Sequence, residues 1–216
     1  MTARVRLGAV CWVLTVEFFI GQAVAQAAWR TPYSMVRDYV SDLGAAHCGT
    51  TSIPGSTTYI CSPLDVVMNA AFVAFGVLVL FGAVLTASTW PRRGLTWAGL
   101  VFLVLLGLGK ILVGLAPEDV HLGLHLLGAL GIPAGNLAVL LLGAACWPSR
   151  RGWAVASWVL GGLGLIGFLL QVGAPHVLGV GTAERLAEST TVVWLMARGA
   201  VLLLRPEPSP AAHAVG

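Results

Sequence analysis

The sequence predicts an all-α fold, a polytopic bundle of six transmembrane helices with a short amphipathic helix after the first and both termini cytoplasmic. Three observations predict it. Hydrophobic residues make up 57% of the 216 positions and charged residues 10%, against about 25% charged in a soluble domain, and the mean hydropathy is +0.88. The apolar residues gather into six runs of roughly 20 residues or more, the length a helix needs to cross a bilayer. Cations recur at alternate junctions between the runs.

Taken in order, the spans are expected at roughly 8–28, 64–88, 95–115, 121–146, 153–172 and 183–204. Residues 1–205 read as a single transmembrane domain. The Pro- and Ala-rich tail 206–216 reads as disordered. The first run is long enough to span and lacks a small-residue cleavage site, so it reads as a span rather than a signal peptide. Arg4 and Arg6 precede span one, Arg92 and Arg93 follow span two, Arg150 and Arg151 follow span four, and Arg205 follows span six. An even span count puts all seven on one side, the cytoplasmic side by the positive-inside rule. Trp90, Trp147 and Trp153 sit beside the inner loops, as an aromatic belt would. The net charge of +3 lies in short loops, so it signals orientation and not a nucleic-acid partner. The expected surroundings are the bilayer of the cell membrane. The sequence does not set an oligomeric state.

The polar segment from Arg30 to Asn69, wedged between spans, is where the chemistry gathers. A polar stretch in such a place must sit in water or line a cavity. Thr31 can cap a helix there, Pro32 suits its first turn, and Tyr33, Val36, Tyr39, Val40 and Leu43 give it an apolar face. Gly44 can end it. Cys48 and Cys61 flank a Gly/Ser/Thr-rich loop on the outer, oxidising side, which predicts a disulfide pinning that loop as a lid. Cys11 and Cys146 read as buried small hydrophobes.

Of the nine acids, seven fall at or near outer span ends: Asp38, Asp42, Asp65, Glu118, Asp119, Glu184 and Glu188. Wet outer loops would account for some of this. The spacing points further, because Asp38/Asp42, Asp65/Asn69, His121/His125 and Glu184/Glu188 are all i,i+4 pairs, each on one helix face. Intramembrane ionisable residues face the bundle interior, so these faces are expected to meet in one outward-opening cavity, with spans two, four and six around it. Arg185 is expected to pair with Asp42 or Asp38. Arg30, Arg37 and Lys110 are further partners. Asp42 paired and Asp38 unpaired would divide into a fixed anion and a proton donor, with Glu184 and Glu188 the next candidates.

Two histidines four apart in HLGLH can ligate one metal ion, completed by Asp38, Asp42 or Glu188; they can equally be hydrogen-bonding residues at a span start. No metal or other cofactor is assigned. Asn69 and Asn136 read as interhelical hydrogen-bonding residues, and Arg198 as a side chain that snorkels inward. Trp12, Phe18, Phe19, Trp29, Tyr33, Tyr39, Phe72 and Trp194 are available as cavity walls, or as ordinary core.

The motifs YSMVRDYVSDLG, CSPLDVVMNAAF, VGLAPEDVHLGLHLLGA, GNLAVLLLG and GVGTAERLAESTTVVWL together resemble the multi-pass membrane family called domain of unknown function 998. The resemblance covers nearly the whole chain and implies a bundle of six or seven spans with no settled activity. Asp42, His125, Asn136, Glu184 and Arg185 match its polar motifs. Size, topology and scattered acids also resemble small bacterial integral-membrane terpene cyclases, and the Ser, Asp and His pattern resembles ceramidase-like membrane hydrolases, whose second histidine set is missing here. The leading reading is an enzyme that protonates a lipid-like isoprenoid, a hydrophobic small molecule, with Asp38, Asp42, Glu184, Glu188 and His125 catalytic. Trp29, Tyr33, Tyr39, Asp65, Asn69, Lys110, His121, Arg185 and Trp194 would bind substrate. A metal-dependent hydrolase and a non-enzymatic lipid binder or transporter are the alternatives.

Overall fold

The computed structural model describes residues 1–30, 32–53 and 56–204. Its helices are α1 (Ala3–Leu14), α2 (Glu17–Ala27), α3 (Asp65–Thr86), α4 (Gly94–Leu115), α5 (Leu122–Ala129), α6 (Gly131–Cys146), α7 (Arg151–Gly173), α8 (Pro175–Leu178) and α9 (Val180–Leu204). Short 3-10 helices cover Ser41–Gly44 and Ala87–Thr89. Six helical segments are long and apolar enough to cross a membrane, and they fall where the hydropathy placed them. The chain is a multi-pass membrane protein built as an all-α bundle. The expected cap at Thr31 and the expected disorder of the tail lie outside the described residues.

Two spans are interrupted, each for a local reason. The Thr15 hydroxyl donates back to the carbonyl of Trp12 at 2.7 Å, a bond that bends helices, and α1 gives way to α2 there. Pro133 has no N–H for the carbonyl of Ala129, and α5 stops at Ala129, one residue before α6 begins.

The spans close into a ring in chain order. The α1/α2 span packs on α3, α3 on α4, α4 on α6, α6 on α7, α7 on α9, and α9 on α1; α6 and α9 also touch across the middle. Glycines set the closest approaches. At Gly76 an added Cβ would lie 2.4 Å from the carbonyl oxygen of Gly107, so α3 and α4 meet backbone to backbone. Span two therefore sits between spans one and three, and the expected neighbourhood of spans two, four and six is not formed. The core is aromatic: Phe18 lies 5.5 Å from Phe72 and 5.2 Å from Phe75, and Trp90 stacks on Trp194 at 5.9 Å.

The segment after α2 is not the expected helix. Val40 gives its N–H to the carboxylate of Glu184, and Tyr39 gives its N–H to Asp42 at 2.7 Å. Side-chain acceptors have replaced the i−4 carbonyls that a helix would use, so the chain makes turns and a single 3-10 turn. Next comes a two-stranded antiparallel hairpin, Gly49–Ile53 with Ser56–Ile60, in which Gly49 pairs with Ile60. Its β-branched residues suit strands. The Cys48–Cys61 disulfide closes its base, with Cα atoms 4.2 Å apart. Replacing both cysteines by serine should open the hairpin and leave the bundle folded. With the cysteines 13 positions apart in sequence, the loss should be about 2–3 kcal/mol of hairpin stability, read as protease cleavage between 49 and 60 at unchanged bundle melting temperature.

Two tryptophans expected in an interfacial belt are internal instead. Trp90 and Trp153 flank the buried guanidinium of Arg198, at 4.5 and 6.0 Å from their ring centres, and Arg198 also donates to the Thr89 hydroxyl at 3.1 Å. Arg198 is anchored in the bundle and does not snorkel. Trp147, by contrast, is exposed and stacks on Trp158 at 4.9 Å.

Candidate functional site: an apolar cavity with a buried carboxyl pair

The break at Leu130 shapes the site. Beyond it α6 packs along α7, while α5 makes at most marginal contact with α7. The gap is a cavity of about 350 Å³, at the small end of ligand-sized pockets. Leu126, Leu130 and Val172 line its rim and are themselves exposed, so its mouth faces sideways between apolar helix surfaces. Its polar end is built by Tyr39, Ser41, Glu118, His125, Gln171 and Glu184.

Glu118 is the central group. It sits on the 116–121 turn joining α4 to α5, is 6% exposed, and lies within hydrogen-bonding reach of Asp42 and of the Ser41 hydroxyl. Asp42 is fully buried. The Glu118 Oε1 and Asp42 Oδ1 atoms are buried without a hydrogen-bond partner among the described residues. Two carboxyls in this position bond only if one carries a proton. Burial, before any other cause, lifts Glu118 well above the usual carboxyl range, and the adjoining Asp42 adds to it. Burial raises Asp42 as well, opposed by its bond with Glu118 and by the Tyr39 N–H. The two form a dyad of buried carboxyls, each raised above the ordinary range chiefly by burial, so that the proton affinity of one depends on the charge of the other.

Three neighbours fix the dyad. His125 is buried, and its Nδ1 lies 2.9 Å from the carbonyl of Ala116. A carbonyl only accepts, so Nδ1 carries the hydrogen and Nε2 faces Glu118, 4.0 Å from Oε2. Glu184 holds the Val40 N–H at the start of the Ser41–Gly44 turn. Arg185 ties the 33–38 segment to α9: its guanidinium donates to the carbonyls of Met35 (3.1 Å), Asp38 (3.0 Å) and Gly181 (3.0 Å) and to the Tyr33 hydroxyl. Gly179, at φ +80°, admits the Val36 carbonyl to a place where a Cβ would lie 2.3 Å away. Next to Glu118, Asp119 does structural work. It accepts from the Ala46 and His47 N–H groups, each at 2.9 Å. Burial would raise its carboxyl, but these bonds and the His47 ring outweigh that and hold it below the usual range.

The i,i+4 faces thus divide. His125 and Glu184 line the cavity, and Asp42 stands behind Glu118. Glu188 does not line it; one turn along α9 it is ion-paired with Lys110, which lies over the rings of Phe18 and Phe72 at 5.5 and 5.0 Å. Asp38 is half-exposed, accepts the Ser34 N–H at 2.6 Å, and lines a separate groove of about 810 Å³ together with Trp29 and Tyr59 of the hairpin. Among its described residues, Thr57, Thr58 and Tyr59 of the hairpin border that groove, and none lines the cavity. Arg185 meets the backbone carbonyl of Asp38 and neither carboxylate. His121 is exposed while His125 is buried, so the HLGLH pair does not converge, and no group of three or more His, Cys, Asp or Glu side chains able to hold a metal occurs among the described residues. On α3, Asn69 donates to the Gly44 carbonyl at 2.8 Å, and Asp65 opens the helix; neither reaches the cavity. Asn136 does join helices, donating to the Ala187 carbonyl at 2.8 Å. Tyr39 lines the cavity, Tyr33 packs on Trp29 at 5.1 Å, and Trp194 is core, its indole N–H on Ser157 at 2.8 Å.

Sequence reasoning missed Glu118, Ser41 and Gln171 as site residues. Glu118 lies in a turn, where helical spacing says nothing. Its signal was its place in APED, directly before the span that carries His125.

The dyad makes stability pH-dependent. Its folded affinity for a proton is raised, so its contribution is fully present below the ordinary carboxyl pKa of about 4 and is lost as pH rises through the raised value. The melting temperature should fall as the pH rises above about 4, and Asp42→Asn should flatten that slope.

No curated protein and no solved structure matches the chain. The family model described as Protein of unknown function (DUF998) matches residues 13–201, and the chain belongs to that family.

Proposed function

We propose that this protein is an integral-membrane enzyme that transfers a proton to an apolar, isoprenoid-like lipid, with Glu118 as the acid. The observation that carries this reading is a pair of buried carboxyls, Asp42 and Glu118, at the polar end of a largely apolar cavity. Glu118 gives its proton to an alkene or epoxide of the substrate, and positive charge forms on carbon. The carboxylate left behind is favoured by the Ser41 hydroxyl, while repulsion from Asp42 drives the proton's return. The Nε2 of His125 is placed to take a proton from a neighbouring carbon and return it to Glu118, whose Oε2 lies 4.0 Å away, so the substrate is isomerised and the acid is restored without net change in atoms. Substrate enters from the bilayer between Leu126, Leu130 and Val172. The rings of Tyr39 and Phe168 are the cavity's aromatic faces toward the developing cation.

The test is conversion of prenylated substrates by the purified protein in lipid nanodiscs, with isomeric products identified by mass spectrometry. Glu118→Gln should abolish product and Asp38→Asn should retain it. Product from Glu118→Gln at the parent rate would defeat the reading. The protein is placed in the cell membrane with the hairpin outward. A cysteine at position 93 should then label only from the cytoplasmic side.

A further inference from the structure

The charges around the cavity do not balance. Asp42, Glu118, Glu184 and Glu188 are all buried, between 0% and 6% exposed. The cations among them are Lys110 and Arg185. Lys110 is bound to Glu188, and Arg185 directs its bonds to carbonyls and to Tyr33. His125 donates to a carbonyl. Burial keeps the phenols of Tyr33 and Tyr39 protonated. Asp38 and Asp119 nearby are further acids and add no cation. Among the described residues, no lysine or arginine is bound to Asp42, Glu118 or Glu184.

A second observation concerns what the cavity offers a ligand. Glu118 Oε1 on the α4–α5 turn and Gln171 Oε1 on α7 are buried acceptors without a partner, and both residues line the cavity. The buried indole N–H groups without partners, those of Trp12, Trp90 and Trp153, lie in the tryptophan cluster, and none of these residues lines the cavity. The polar end therefore offers two unpartnered acceptors beside buried carboxyls, and most of the remaining wall is hydrocarbon.

We infer that the cavity binds a lipophilic primary ammonium ion, its nitrogen between Glu118 and Gln171 and its chain between α5 and α7, in exchange for the proton of the Asp42–Glu118 pair. The ammonium N–H groups satisfy both orphaned acceptors, and its charge replaces the proton that the pair otherwise holds. The inference rests on the same carboxyl pair as the proton-transfer reading, since an ammonium ion occupies the place where protonated substrate would carry its charge. It concerns binding alone, so a missing reaction product leaves it standing, and product formation without ammonium binding overturns it alone.

The experiment is isothermal titration of the full chain in phosphatidylcholine nanodiscs, against protein-free discs, with octylammonium, octanol and octyl phosphate. Octylammonium should bind one per chain, with affinity rising by up to about tenfold per pH unit where one proton is released. Octanol should bind more weakly and without pH dependence, and octyl phosphate should not exceed the blank. Glu118→Gln should weaken octylammonium at least tenfold and flatten its pH profile. Leu126→Trp at the exposed rim should block binding with the carboxyls intact, which locates the ligand even if Glu118→Gln fails to fold. Equal binding of octanol or octyl phosphate, a flat pH profile for octylammonium, or full binding by Leu126→Trp would overturn the inference.

Discussion

Glu118→Gln lowers turnover of a prenylated substrate by about 10²- to 10⁴-fold, the usual share of a positioned general acid. The substitution keeps the shape of the side chain and keeps a donor for Asp42, so folding should survive. It removes the acidic proton, and with it the step that creates positive charge on the substrate. Two controls separate chemistry from packing. Asp38→Asn changes an acid outside the cavity, whose carboxylate accepts the Ser34 N–H, and should leave the rate within a few-fold. Asp42→Asn keeps Glu118 and removes the buried carboxyl beside it, so it should lower the pH at which activity falls off, with a smaller loss at low pH. If Asp38→Asn is the inactive variant and Glu118→Gln the active one, the chemistry belongs to the groove beside the hairpin. The same pair of variants can be read without substrate, because the carboxylic acid stretch of a protonated Glu118 should vanish from the infrared spectrum of Glu118→Gln.

The bundle was legible because its signal is collective. Six apolar runs and the cations between them survive any error of a few residues, and the structure moves span boundaries by little: Gly94–Leu115 against 95–115, Asp65–Thr86 against 64–88. Breaks inside spans were not read, although Pro133 marks one. The site was legible only where periodicity applies. Glu184 and His125 sit on helices, and their placement on inward faces followed from intramembrane charge. Asp42 and Glu118 meet across 76 positions of sequence between two turns, a contact that no helical spacing encodes. Asp38 misled because the 31–43 stretch carries a helical pattern, while in the fold its N–H groups are drawn to Asp42, Glu184 and Asp38 itself. Those acids are what unwind the helix their own spacing predicts.

Lys110→Met should cost about 3–5 kcal/mol of stability, the cost of breaking a buried ion pair from one side. Lys110 and Glu188 are 2% and 6% exposed, so water cannot take over for the lost partner. Phe18 and Phe72 lose the ammonium that lies over their rings, and Glu188, whose Oε2 already lacks a hydrogen bond, is left as an isolated anion among Phe75, Leu106 and Ile132. Lys110→Met/Glu188→Met replaces both charges with side chains of similar volume and should recover most of the loss. Thermal melts of the two variants decide the point. A double variant no more stable than the single one would mean that the pair holds α4 to α9 through a specific bond, and the burial of an unpaired carboxylate would not be the main cost. Recovery would instead mark Lys110 as the counter-ion that lets α9 carry Glu188 one turn below Glu184, beside the cavity's carboxyls and without adding to their negative charge.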